Sequence, residues 1–283
     1  MLKRVKNSVF LLFIVALMFV FAGRGTEPKP AASGGSTTPA SGAGASSQKP
    51  AETVELTVSA AASMTDALKD IQKAYETKNP NIKLNFNFGA SGALQQQIEQ
   101  GAPADLFLSA AVKNMKALVD KQLIDTNQQK KPLTNELVAV VASDGKMAIG
   151  RMEDLSQADV KKIAVGIPES VPAGGYAKEA LTNVKLWDAL QPKLVQAKDV
   201  RQVLQYVETG NADVGFVYKT DALTSSKVKV AFAVDSKTYT PVEYPIGIVK
   251  ATKHSKEAAD FYAYLQSRPA LDVFVQYGFT VLH

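Results

Sequence analysis

The chain has no cysteine in 283 residues, two histidines (His254 and His283) and one tryptophan, Trp187. Without thiolates, and with both histidines near the end, a transition-metal site would have to be built mostly of carboxylates, and no cluster of suitable spacing occurs. A serine triad is restricted in the same way, because its base must be His254 or His283. No G-x-x-x-x-G-K-[ST] run is present, which excludes nucleotide hydrolysis on a phosphate loop. Long apolar runs are also missing. The longest, Val9 to Ala22, has 14 residues, short of the ~20 that span a bilayer.

What the sequence does contain begins with charge. The net charge is +5 and the pI about 9.1, yet residues 1–50 carry six bases (Lys3, Arg4, Lys6, Arg24, Lys29, Lys49) against Glu27. The other 233 residues balance at 26 bases and 26 acids, so no basic face is implied and nucleic acid is not an expected partner. Residues 1–24, with Lys3, Arg4 and Lys6 ahead of the apolar run, read as an export signal, with a retained short anchor as the alternative. Phe21-Ala22-Gly23-Arg24 resembles the end of a bacterial lipoprotein signal with Arg24 in place of the lipid-bearing cysteine. Attachment by a thioether is therefore excluded for this sequence. Residues 25–53 are rich in Pro, Gly, Ser, Ala and Thr and read as a disordered tether.

From Val54 onward, β-rich runs alternate with helical patterns, the signature of an α/β protein. Val54 to Ala60 reads as a strand, and Ile82, Leu84, Phe86 and Phe88 alternate as a half-buried strand should. Between them Met64, Leu68, Ile71 and Tyr75 recur at helical spacing, with Ser63 at the N-cap position and Asp66 in a near capping box. The unit repeats through Gly89-Ala90-Ser91-Gly92 into a helix that stops at Gly101. Asp105 to Ser109, Glu136 to Ser143, Ile163 to Gly166, Val214 to Tyr218 and Val242 to Ala251 read as further strands. Helices follow from Ser255 to Gln266 and from Pro269 to Tyr277.

Four turns place backbone N–H groups and small residues at helix starts: Ser63, Ser91, Ala173-Gly174 and Asp199-Val200. A helix N-terminus carries unpaired donors and about half a positive charge, so it attracts an anion without any lysine. Each turn alone is equally explained by capping.

The chain resembles the molybdate-binding receptors of bacterial ABC importers from about Val54 to Thr280. The marks are Ala60-Ala61-Ala62-Ser63, Gly101-Ala102-Pro103-Ala104-Asp105-Leu106-Phe107, Val171-Pro172-Ala173-Gly174, Asp199-Val200-Arg201, Gly215-Phe216-Val217-Tyr218, Val242-Glu243-Tyr244-Pro245 and Tyr277-Gly278-Phe279. The resemblance implies a two-lobed periplasmic-binding-protein fold of type II, each lobe a mixed sheet flanked by helices, joined by two crossing strands. Lobe 1 would comprise 54–134 plus 243–283, and lobe 2 would comprise 135–242. It implies a monomeric receptor, periplasmic or at the outer face of the cytoplasmic membrane, that delivers molybdate or tungstate to a membrane permease. It also implies a ligand set of Ser63, Ser91, Ala173, Val200 and Tyr218 that holds the metal as an oxyanion rather than a bare cation, with no cofactor and no catalysis. Without the resemblance, Tyr218 reads as a core tyrosine. The run Gly89-Ala90-Ser91-Gly92-Ala93 lacks the extra hydroxyls many relatives carry, and Gly175 stands where a larger residue is frequent.

Such a ligand set offers N–H and O–H donors and no obvious acceptor. Molybdate, tungstate and sulfate are fully deprotonated near neutral pH, whereas phosphate retains a proton that would face donors, at a cost of about 1 to 3 kcal/mol. Asp199 is the acceptor at hand, and it is expected to cap its own helix. The alternatives are a receptor for another tetrahedral oxyanion such as sulfate and, from another class, a serine hydrolase. Gly89-Ala90-Ser91-Gly92-Ala93 nearly matches G-x-S-x-G, with Ala93 in the final glycine position and His254 as the base. The effector half of a transcription regulator shares the architecture but not the leader.

Overall fold

A computed structural model describes residues 52–282; the expected export signal and nearly all of the expected tether lie outside the described residues, as does His283. The chain runs through β1 (Val54–Ala61), α1 (Thr65–Lys78), β2 (Ile82–Gly89), α2 (Ser91–Glu99), β3 (Leu106–Leu108) and α3 (Val112–Asp120). β4 (Ile124–Asn135) and β5 (Leu137–Ala142) follow, separated by Glu136 alone. Next come β6 (Ile163–Gly166), α4 (Pro172–Asn183), α5 (Trp187–Leu190), β7 (Leu194–Ala197), α6 (Val200–Glu208), β8 (Val214–Tyr218), α7 (Lys219–Leu223) and β9 (Val228–Ala233). β10 (Val242–Val249), α8 (Ser255–Leu265), α9 (Arg268–Gln276) and β11 (Thr280–Val281) complete it.

These strands form two sheets of mixed direction, ordered β11-β4-β10-β3-β1-β2 and β7-β6-β8-β5-β9. In the first sheet β1 lies parallel between β2 and β3, while β10 returns antiparallel between β3 and β4. In the second, β6 is parallel to β7 and β8, and β5 is antiparallel to β8 and β9. The chain crosses between the sheets twice, at Glu136 and between β9 and β10. This is the expected two-lobed α/β architecture.

The pattern of apolar residues explains the layers. Leu56, Val58 and Ala60 on β1 and every residue of β8 are buried, because both strands are covered by helices on their faces. Leu68, Ile71 and Tyr75 form the buried stripe of α1. Each large aliphatic side chain removed from water in this way contributes about 1.5 to 3 kcal/mol. Gly101 and Gly210 end α2 and α6 at φ +86° and +69°, where a residue with a Cβ is strained.

Strand β1 ends in a 3-10 turn, Ala62–Met64, before α1 begins at Thr65. Ser63 is therefore not the N-cap that its spacing suggests, and no side chain caps this helix. Its hydroxyl is engaged elsewhere.

Candidate functional site

The five predicted residues come together. Ser63 and Ser91, from the ends of β1 and β2, face Ala173 and Val200, from the starts of α4 and α6, and Tyr218, from the end of β8. All five line one small cavity with Ala61, Ala62, Gly89, Ala90, Ala110, Val171 and Pro172. The volume of this cavity is about 10 Å³. Among the described residues that line it, none carries a charged side chain and none is a histidine.

Local structure leaves donors at this point. Helix geometry provides no intrahelical partner for the N–H of Ala173 or Val200 in the first turns of α4 and α6. Ser91 is the first residue of α2 rather than its cap, and its Oγ accepts from the Ala110 N–H at 2.9 Å. Ser63 Oγ lies 3.0 Å from the Tyr244 hydroxyl. Both serines are at most 3% exposed, and neither spends its hydroxyl on capping. Asp199 does cap: its Oδ1 accepts from the Gln202 N–H at 2.9 Å. That carboxylate is committed to α6, as expected from the sequence, and does not line the cavity.

Tyr218 is 1% exposed, and among the described residues its hydroxyl meets no hydrogen-bond partner. A buried hydroxyl left unpaired costs about 1 to 3 kcal/mol, and this one belongs to a residue of the cavity lining. Burial, reinforced by the nearby Tyr244, Tyr176 and Asp221, holds this phenol well above its ordinary pKa. It stays protonated.

Behind Tyr218 sits a fully buried carboxylate that no sequence motif singles out. Asp221 accepts from the Tyr218 N–H at 3.3 Å and lies 2.8 Å from Arg201 Nε, a contact whose angle is poor for a hydrogen bond. Desolvation pushes its pKa up to about 6, against the opposing pull of Arg201. Because the folded value exceeds the unfolded one, the associated stability is full below the ordinary carboxylate range and is lost as pH rises through about 6. Arg201 also reaches across to the first lobe, donating from Nη2 to Asp66 Oδ2 at 2.6 Å. Arg201 lies in the run Asp199-Val200-Arg201, but its partners are 135 and 20 positions away in sequence, beyond any local signal.

The lobes meet at the rim of the cavity. The Gly92 N–H donates to Ser170 O at 2.9 Å, and the Tyr176 hydroxyl donates to Ala110 O at 3.3 Å. A Cβ on Gly92 would lie 2.7 Å from Ser170 O, so only glycine permits this approach. A wider groove of about 450 Å³ adjoins the cavity and shares Pro172 with it. It is lined by Lys113, Glu179 and Glu243, so unlike the small cavity it carries charges of both signs, and size alone does not mark the site.

Two mixed sheets, crossed twice by the chain and closing on a donor-lined cavity, define a two-lobed binding protein. The chain matches the family of bacterial extracellular solute-binding proteins over residues 56–280, and it belongs to that family. It is 53% identical over 227 residues to a putative ABC transporter substrate-binding lipoprotein of Bacillus subtilis, covering 80% of this chain and 86% of that one. It is 40% identical over 233 residues to the molybdate-binding protein ModA of Haemophilus influenzae, covering 81% and 91% of the two chains. Among solved structures, the substrate-binding domain of a putative molybdenum ABC transporter from Clostridium difficile has a TM-score of 0.63 and 46% identity, covering 81% of this chain and 99% of that one. The family consists of solute receptors that work outside the cytoplasm. Among the described residues, no helix is long and apolar enough to cross a membrane.

Proposed function

We propose that the cavity binds one molybdate or tungstate ion and that the loaded protein delivers it to the membrane permease of an ABC importer. The observation that carries this reading is the lining: two hydroxyls, two helix N-termini and one unpaired phenol, with no charged side chain among the described lining residues. A dianion whose four oxygens all accept is the matching guest. Hydrogen bonds to a charged partner contribute about 1.5 to 3 kcal/mol each, and helix starts add about 0.3 to 1 kcal/mol. A cavity this small excludes a sugar or an amino acid. The names of the relatives from Haemophilus influenzae and Clostridium difficile support the same ligand.

On this reading, Ser63, Ser91 and Tyr218 donate through their hydroxyls, and Ala173 and Val200 donate through their backbone. Lobe 1 is assigned to 54–134 plus 243–283 and lobe 2 to 135–242, so the anion bridges them and favours the closed form. The receptor acts as a monomer at the outer face of the cytoplasmic membrane or in the periplasm, without a cofactor and without chemistry on its ligand. The hydrolase alternative lacks its base, since His254 is not among the residues that line the cavity with Ser91.

Calorimetry on the full chain tests the proposal. One-to-one binding of molybdate or tungstate, with sulfate a poor competitor, is expected. Tight phosphate binding, or no oxyanion binding, overturns it; sulfate binding as tight as molybdate moves the assignment to sulfate.

A further inference from the structure

Asn135, the last residue of β4, fixes the direction of a buried hydrogen-bond chain that ends on Ser63. Its Oδ1 accepts from the Glu136 N–H at 2.9 Å, which identifies the other terminal atom as nitrogen. Nδ2 has two hydrogens and no capacity to accept. It donates one to Thr220 Oγ1 at 2.8 Å and one to the Tyr244 hydroxyl oxygen at 3.2 Å. Tyr244 therefore receives a hydrogen and must place its own. It is fully buried, and its remaining hydrogen-bond partner among the described residues is Ser63 Oγ. The Ser63–Tyr244 distance alone leaves the donor open; Asn135 closes the question, because any other arrangement strands a buried hydrogen.

Ser63 thus accepts from Tyr244 and has its own hydrogen free at the cavity wall. Ser91 is set the same way by a different group, since the Ala110 N–H at its Oγ can only donate. Each serine that lines the cavity is fed by an obligate donor from behind.

We propose that Asn135 and Tyr244 are positioning residues that hold Ser63 as a hydrogen donor to the ligand, and that this polarity is what makes the site reject an oxyanion carrying a proton. The proposal rests on the reading of the cavity as an oxyanion site. It assigns selectivity against protonated anions to two residues that do not themselves line the cavity.

Tyr244→Phe is the direct test. It removes one oxygen and keeps the ring that packs edge-on against Tyr218 and Phe279 at 5.9 and 5.2 Å. With the tyrosine hydrogen gone, both lone pairs of Ser63 Oγ rather than one are open to a protonated ligand. Calorimetry on the full chain at pH 7 with molybdate and inorganic phosphate is expected to show molybdate affinity falling about tenfold. Phosphate affinity is expected to hold or rise, so the ratio collapses. In a Ser63→Ala background the same substitution is expected to change molybdate affinity less than about twofold, because its effect passes through that serine. An equal loss for both anions, or an undiminished loss without the Ser63 hydroxyl, overturns the proposal and leaves the network merely structural. If melting curves show that Tyr244→Phe is unfolded, Asn135→Ala carries the same cycle with Tyr244 intact. A wild-type protein that binds no oxyanion overturns the functional reading itself, whereas wild-type binding with an unchanged anion ratio in the variants overturns only the wiring.

Discussion

The two walls of the cavity are made of different atoms. The wall from the first sheet presents side-chain hydroxyls, Ser63 and Ser91, each backed by a buried donor. The wall from the second presents Ala173 and Val200 at the starts of α4 and α6, where the available donors belong to the backbone, together with Tyr218. A side-chain donor is lost by removing one atom. A backbone donor survives most substitutions at its own residue and is lost only when its helix moves.

The largest effect should come from moving such a helix. A Cβ on Gly174 would lie 1.9 Å from Gly166 O, at the end of β6 against which α4 packs. Gly174→Ala must displace the start of α4 and the Ala173 N–H with it, at a cost of about 3 kcal/mol. Thermal melting should fall by roughly 10 °C and molybdate binding should be lost. Gly92→Ala acts between the walls. It opposes the contact with Ser170 and should weaken binding by about 2 to 3 kcal/mol with little change in the melting of the unliganded protein.

Single hydroxyls come next. Ser63→Ala and Ser91→Ala should each weaken binding by about 1.5 to 3 kcal/mol, measured by calorimetry, and each should also lower unliganded stability because a buried donor loses its acceptor. Unchanged affinity in both would remove them from the site. Tyr218→Phe sharpens the contrast, since its hydroxyl has no partner to strand. Affinity should fall by about 1.5 kcal/mol while the melting temperature of the unliganded protein holds or rises.

Much of this geometry is legible in the amino-acid sequence. β1, β2 and β8 carry their apolar pattern openly, and the helix-start signals at Ser63, Ser91, Ala173-Gly174 and Asp199-Val200 converge on one cavity. The strands that leave no such signal lie toward sheet edges or are very short. Most of β4, from Asp125 to Lys131, is polar and largely exposed, and pairing with β10 holds it extended rather than any alternation of its own. β7 and β11 have four and two residues, too few to show a period. Ser63 resembles a cap because it stands just ahead of a helical pattern, yet a 3-10 turn intervenes and Met64 takes the cap position, a difference of one residue that local rules do not resolve. The Tyr244 and Asn135 wiring is hidden for another reason. Its contacts join residues 181 and 109 positions apart in sequence, so only the fold brings them together.

The smallest effect is expected where the lobes share a charge pair. Arg201 Nη2 and Asp66 Oδ2 approach to 2.6 Å, but the two side chains are 26% and 35% exposed. Water screens a pair like this, and its contribution is about 0 to 1 kcal/mol. A receptor that must open to load and close on its ligand needs the ligand, not a permanent latch, to supply most of the difference between the two states. Asp66→Asn should therefore weaken molybdate binding by less than about 1 kcal/mol, and the deficit should shrink further as salt rises. A loss as large as that of Ser63→Ala would mean that the charge pair, rather than the donor-lined cavity, holds the lobes together.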